Sequence, residues 1–140
     1  MVLRLVLVIA MAAFNISTWA QAPEGIPRGL ARERAANVSQ LQYTLHYTLV
    51  PHSDHAESTE SLRFQLKHAN APLVLDFRDG RVNTLTVNGA SVSPEMSNGH
   101  LVLAEKYLRV GENVLAIHFT ANIAPAEKAI TRFEIGRAHV

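Results

Sequence analysis

The stretch Leu108-Arg109-Val110-Gly111-Glu112-Asn113-Val114-Leu115-Ala116-Ile117-His118-Phe119 decides the reading of this chain. Gly111 and Asn113 are turn formers, so the stretch reads as a turn feeding a strand. Between Val114 and Phe119 side chains alternate across a strand: Leu115, Ile117 and Phe119 share one face, Val114, Ala116 and His118 the other. None of these residues is chemically reactive. The remaining segments are expected to pair with this strand or pack on it.

Upstream, Leu41 to Val50 shows the same period of two. Leu41, Tyr43, Leu45, Tyr47 and Leu49 lie on one face and Gln42, Thr44, His46 and Thr48 on the other, before Pro51 stops the run. Leu62, Phe64 and Leu66 alternate with polar residues in a second strand, and Leu73 to Phe77 forms a third, opened by Pro72. Asp79-Gly80 turns the chain, and Val82, Leu85 and Val87 lead into Asn88-Gly89, a two-residue hairpin signal with Val92 on the return. Asn98-Gly99 precedes Leu101-Val102-Leu103, and Val114 to Ala121 is the last of seven predicted strands. Turn signals at this spacing predict an all-β, mostly antiparallel sandwich or curved sheet.

Before the strands, Gln21 to Arg28 reads as an extended arm, and Leu30 to Ala36 has the composition for one or two helical turns. A helix this short needs tertiary contacts to persist. Its two arginines, Arg32 and Arg34, are expected on a solvated face.

Both ends carry non-domain signals. Arg4, the apolar run Leu5 to Phe14 and the small-x-small pattern Thr18-Trp19-Ala20 predict a secretory signal peptide over residues 1–20, cut after Ala20. The run is too short to span a bilayer, which takes about 18 apolar residues. Glu134-Ile135-Gly136-Arg137-Ala138-His139-Val140 can be encoded by the start of a common sequencing adapter read to a stop codon, so residues 134–140 are expected to be a non-native tail. The expected organisation is residues 1–20 signal, 21–40 arm with a short helix, 41–133 an incomplete β-sandwich-like domain, and 134–140 tail. The product is expected to be exported, periplasmic or extracellular, with no membrane segment after signal cleavage. There is no cysteine, hence no disulfide framework. Setting aside Arg4, Arg137 and Glu134, the 13 basic and 12 acidic residues become eleven of each, a balance that implies no nucleic-acid surface.

Candidate chemistry is sparse. His52, Asp54, His55 and Glu57, in Pro51 to Glu57, are the one cluster with metal-ligand donors, but a polar turn between two strands predicts a solvated hairpin loop instead. Asp76 points away from the face of Leu75 and Phe77 and is expected to meet solvent. His46, His52, His68, His100 and His118 have no acidic neighbour in sequence. Asn37-Val38-Ser39 fits a glycosylation sequon. No catalytic, cofactor-binding or metal residue is assigned.

Several pieces, in order, resemble the amino-terminal domain of the aminopeptidase N-like zinc metallopeptidases. Leu30-Ala31, Arg34-Ala35, Val38-Ser39 and Tyr43 match its opening, and Leu73 to Phe77 followed by Val87-Asn88-Gly89 its next landmark. Leu108-x-x-Gly111-x-Asn113-x-Leu115-x-Ile117-x-Phe119 is the third, and Ile130-Thr131-Arg132-Phe133 resembles the lead into an acidic loop. The resemblance implies a saddle-shaped β domain and, in the full-length family protein, a following catalytic domain with zinc, G-A-M-E-N and H-E-x-x-H, acting on the amino-terminal residues of peptides. This sequence contains neither motif, so the chain alone is expected to be inactive, its partner being the missing catalytic domain of the same polypeptide. The alternative is a complete secreted β-sandwich that binds a peptide, a sugar or a partner protein.

Overall fold

The computed structural model describes residues 24–124. The predicted signal peptide, Ile130 to Phe133 and the 134–140 tail lie outside the described residues. One helix, α1 (Arg28–Asn37), precedes eight strands: β1 (Val38–Thr48), β2 (His55–Leu66), β3 (Leu73–Asp76), β4 (Gly80–Val87), β5 (Ala90–Val92), β6 (Glu95–Ser97), β7 (His100–Leu103) and β8 (Gly111–Asn122). A single 3-10 turn, Glu105–Tyr107, lies between β7 and β8.

The strands form two antiparallel sheets, one of five strands in the order β1-β2-β8-β4-β5 and one of three in the order β3-β7-β6. The strand that opened the sequence reading is the middle of the larger sheet. It pairs with β2 from Gly111 opposite Leu66 to Asn122 opposite His55, and with β4 on its other edge. The expected all-β sandwich is therefore present, with one strand more than the sequence pattern showed. That strand, β6, is three residues long and carries no apolar alternation, but the Asn98-Gly99 turn needs it as a partner for β7. Asn88-Gly89 and Asn98-Gly99 both have positive φ at each residue, the backbone of a tight antiparallel hairpin.

The core fills the space between the sheets. Phe64, Leu66, Leu85, Val87, Leu115, Ile117 and Phe119 come from the larger sheet, and Leu73, Leu101 and Leu103 from the smaller. Phe77 and Phe119 meet edge to face at 5.4 Å between ring centres. The Leu115, Ile117 and Phe119 face is buried as the alternation predicts.

Helix α1 has no buried residue and no side-chain N-cap. Its hold on the sheets is polar. Asn37 donates through Nδ2 to the His68 carbonyl at 3.0 Å and accepts from the His68 N–H at 2.8 Å, while the Lys67 N–H donates to the Asn37 carbonyl. The amide nitrogen that a glycan on the sequon would occupy is thus committed to the fold.

Asn113 does more than turn the chain. It lies within β8, fully buried, with Nδ2 donating to the carbonyls of Arg109 and Gly111 and Oδ1 accepting from the Arg109 N–H and from Asn88 Nδ2. Asn88 in turn donates to the Tyr107 carbonyl and accepts from the Val114 N–H. Two asparagines therefore lock the Asn88-Gly89 hairpin to the loop that enters β8. A buried amide with all its valences met fixes register well, because any slip strands it without partners.

Candidate functional site

Three places bring titratable side chains together, and a fourth exposes apolar ones. The first is the outer side of the small sheet. Asp76 stands opposite His100 in the β3–β7 pairing. Arg34 of α1 grips Asp76 with two bonds, Nη1 to Oδ2 at 3.0 Å and Nη2 to Oδ1 at 2.9 Å. Fully buried His100 places Nδ1 3.0 Å from Asp76 Oδ1 and donates from Nε2 to the Gly25 carbonyl at 2.8 Å. The Arg34 bonds, reinforced by the charges of Arg34 and His100, hold the Asp76 carboxyl below its ordinary range against the opposing effect of burial. Asp76 and Arg34, expected on solvated faces, are thus each other's partners. The cluster ties arm, helix and small sheet together, and its groups are committed to that task.

The second place is the 51–57 turn. Here the four candidate ligands separate. His52 sits at φ +65° in the turn, closed by the Ser53 N–H on the Val50 carbonyl. His55 Nδ1 lies 2.7 Å from Asp54 Oδ1. Glu57 reaches across to β8, 3.1 Å from His118 Nε2 and accepting from the Thr120 hydroxyl. His52 and Asp54 lie in the loop, whereas His55 and Glu57 belong to β2, which begins at His55 rather than near Leu62. No group of three or more His, Asp or Glu that could hold a metal ion occurs among the described residues. The donor set does not fit a catalytic zinc, and no zinc-dependent step is built on it.

The third is the outer face of the larger sheet. Pairing aligns His46, Thr59, His118 and Thr84 in one cross-strand row, and Thr44, Ser61, Ala116 and Thr86 in the next. This face is hydroxyl-rich, with His118 engaged by Glu57. It offers hydrogen bonds but no nucleophile with a base beside it.

The fourth is the inner face at β1. Tyr43 stands opposite Leu62, Leu45 opposite Glu60 and Tyr47 opposite Ser58, so these β1 side chains point the same way as the core. Yet Tyr43 is 66% exposed, Leu45 38% and Tyr47 42%, and Leu45 and Tyr47 line an open cavity with Asp76, Phe77 and Arg78 at the end of β3. Tyr47 meets Phe119 edge to face. The apolar alternation of β1 is as expected; its burial is not. Glu60, beside this strip, makes no side-chain hydrogen bond or ion pair among the described residues, and loss of solvent raises its carboxyl above the ordinary value. Sequence reasoning passed over Glu60. Its signal was position: an acid on the same alternating face as Leu62, Phe64 and Leu66.

No family model and no curated protein matches the chain. Solved structures do match in fold. The M1 zinc metallopeptidase of Deinococcus radiodurans superposes with a TM-score of 0.51 at 18% identity, covering 61% of this chain and 21% of that one. Variants of M1 zinc metallopeptidase, one described as two-domain and bound to L-arginine and another bound to a Tyr-Ser-Ala substrate, match to the same extent. At this identity the likeness is one of fold. The chain spans about a fifth of the length of these enzymes, the larger part of which lies beyond it.

Proposed function

We propose that this chain is the non-catalytic amino-terminal β domain of an exported zinc-dependent aminopeptidase, an enzyme that removes amino-terminal residues from peptides. The observation that carries the reading is the agreement of sequence landmarks with a fold match. The ordered landmarks from Leu30 to Phe119 resemble that family, and the two-sheet fold matches M1 metallopeptidases without reference to those motifs. In this reading residues 1–20 direct export, and zinc and the peptide-cleaving residues belong to a catalytic domain encoded after Phe133. The described residues contribute a scaffold: the inner core, the Arg34–Asp76–His100 clamp and the Asn88–Asn113 lock all serve to present a stable sheet.

Native genomic sequence across the codon for Phe133 tests this. The reading frame is expected to continue into H-E-x-x-H and G-A-M-E-N; a native stop near residue 140 would defeat the proposal and favour a self-contained secreted binding module. The purified 140-residue chain with added zinc is expected to leave an amino-acid arylamide intact. Robust hydrolysis would show that the catalytic parts had been misplaced.

A further inference from the structure

The cavity at the end of β3 is assembled from distant parts of the chain. Leu45 and Tyr47 come from β1, Glu60 from β2 and Phe119 from β8, and Phe77 and Arg78 close it from the segment that follows β3. Tyr47 and Phe77 each stand nearly at right angles to Phe119, with ring centres 6.1 and 5.4 Å away. The closing segment is pinned at both ends. The Phe77 N–H donates to the Gly99 carbonyl at 2.9 Å, and the Asn122 N–H donates to the Asp79 carbonyl at 2.9 Å. Gly99 also leaves room for the Arg78 stem, since a Cβ there would stand 3.4 Å from Arg78 Cγ. Main-chain bonds therefore set this wall, and the side chains facing the cavity are not consumed in building it.

Two of those side chains are charged and unanswered. Asp76 is held by Arg34 and His100, and Asp79 is engaged as well. Glu60 and Arg78 line the same cavity, yet neither makes a side-chain hydrogen bond or ion pair among the described residues, not even with the other. Burial raises the Glu60 carboxyl, so water has been withdrawn from it and no protein donor has taken its place. An occupant with one charge satisfies one of these groups and is repelled by the other, while a neutral occupant satisfies neither. A molecule carrying both charges close together satisfies both. The cavity measures about 190 Å³. That exceeds the roughly 150 Å³ that encloses benzene and falls below the roughly 300–1,000 Å³ of pockets for larger ligands. The space suits one small molecule with an apolar body and excludes a folded or extended peptide.

We propose that this cavity binds a free α-amino acid with an apolar side chain, its ammonium on Glu60, its carboxylate on Arg78 and its side chain against Tyr47, Phe77 and Phe119. The inference stands on residues of this chain alone and does not rest on the peptidase reading. Hydrolysis of peptides by a longer polypeptide bears on that reading and leaves this one untouched.

Titration of the 140-residue chain, followed by proton–nitrogen NMR, tests the site with three probes. These are L-phenylalanine, N-acetyl-L-phenylalanine, which lacks the ammonium, and L-phenylalaninamide, which lacks the carboxylate. L-Phenylalanine is expected to bind saturably at millimolar concentration, with shifts concentrated at residues 45–47, 60, 77–79 and 119–122. Each blocked analogue should bind about tenfold more weakly, the loss of one charge-assisted hydrogen bond. Glu60→Gln should weaken L-phenylalanine by about the same factor and leave N-acetyl-L-phenylalanine unchanged; Arg78→Met should do so while leaving L-phenylalaninamide unchanged. Absence of saturable binding overturns the proposal, as do shifts centred elsewhere. An amide that binds as tightly as the amino acid identifies a plain cation site and also overturns it, and an equally tight N-acetyl compound does the same for a plain anion site. The analogue series uses the unaltered chain, so it decides even where a variant fails to fold.

Discussion

Two halves of one sheet face behave differently. On β8, Leu115, Ile117 and Phe119 are 0%, 4% and 6% exposed, whereas on β1, two strands away in the same rows, Tyr43, Leu45 and Tyr47 remain open. The alternation in sequence is as regular on one strand as on the other. What separates them is a cover: Leu73, Leu101 and Leu103 of the small sheet stand over β8 and not over β1. Alternation therefore reports that a strand has an apolar side, while burial depends on a second layer brought from elsewhere in the chain.

The sharpest way to break this contrast is to truncate one leucine in each half. Leu115→Ala is expected to cost about 2–5 kcal/mol, the range for a large-to-small change in a closed core. Leu45→Ala in the 140-residue chain should cost below about 1 kcal/mol, because its site is already open to water. Urea unfolding of both variants decides, and equal losses would mean that β1 is covered in the isolated chain.

Next in size is Asn113→Ala. Removal of the amide leaves the Arg109 and Gly111 carbonyls, the Arg109 N–H and Asn88 Nδ2 without this partner, which predicts a loss of about 1–3 kcal/mol by the same measurement. A neutral result would show that the loop entering β8 does not depend on the lock.

The Arg34–Asp76 pair should matter less. Its aspartate side chain is 37% exposed, so screening limits it to about 1 kcal/mol or below. The folded-state carboxyl is held below its unfolded value. Its contribution is therefore present above the ordinary aspartate range, about pH 4, and lost as pH falls through the lower folded value. Asp76→Asn should reduce stability at pH 7 and flatten the acid limb of a stability–pH profile; an unchanged acid limb would rule out the assignment.

Glu60→Gln, the smallest effect, has the opposite sign. Desolvation raises the folded-state carboxyl, so the folded protein holds this proton more tightly than the unfolded chain, and stability falls as pH rises from the ordinary glutamate range through the raised value. The variant is expected to be more stable at pH 7 by up to about 0.5 kcal/mol, with the gain vanishing below about pH 4.

Much of the fold was legible because it is written locally. The two Asn-Gly pairs mark their hairpins, and Leu115, Ile117 and Phe119 mark the central strand. Features that arise from pairing across the fold were not. The first half of β2, His55 to Ser61, is polar and was read partly as loop, since its strand character comes from being held between β1 and β8. Asp76 looked free because Arg34 lies 42 residues away and His100 on another strand. Asn113 looked like a turn residue, and only the position of Asn88 reveals it as buried glue.

The order of strands in the larger sheet has a consequence for how the protein is made. Its middle strand is the last of the eight to be synthesised, and it pairs with β2 and β4, both completed much earlier. While the chain emerges from the ribosome, β1 and β2 can form a hairpin and β4 and β5 another, but nothing joins them until Asn122 is free. Long-range pairing of this kind closes slowly and late. The larger sheet of the nascent chain therefore cannot be completed until its final described strand arrives.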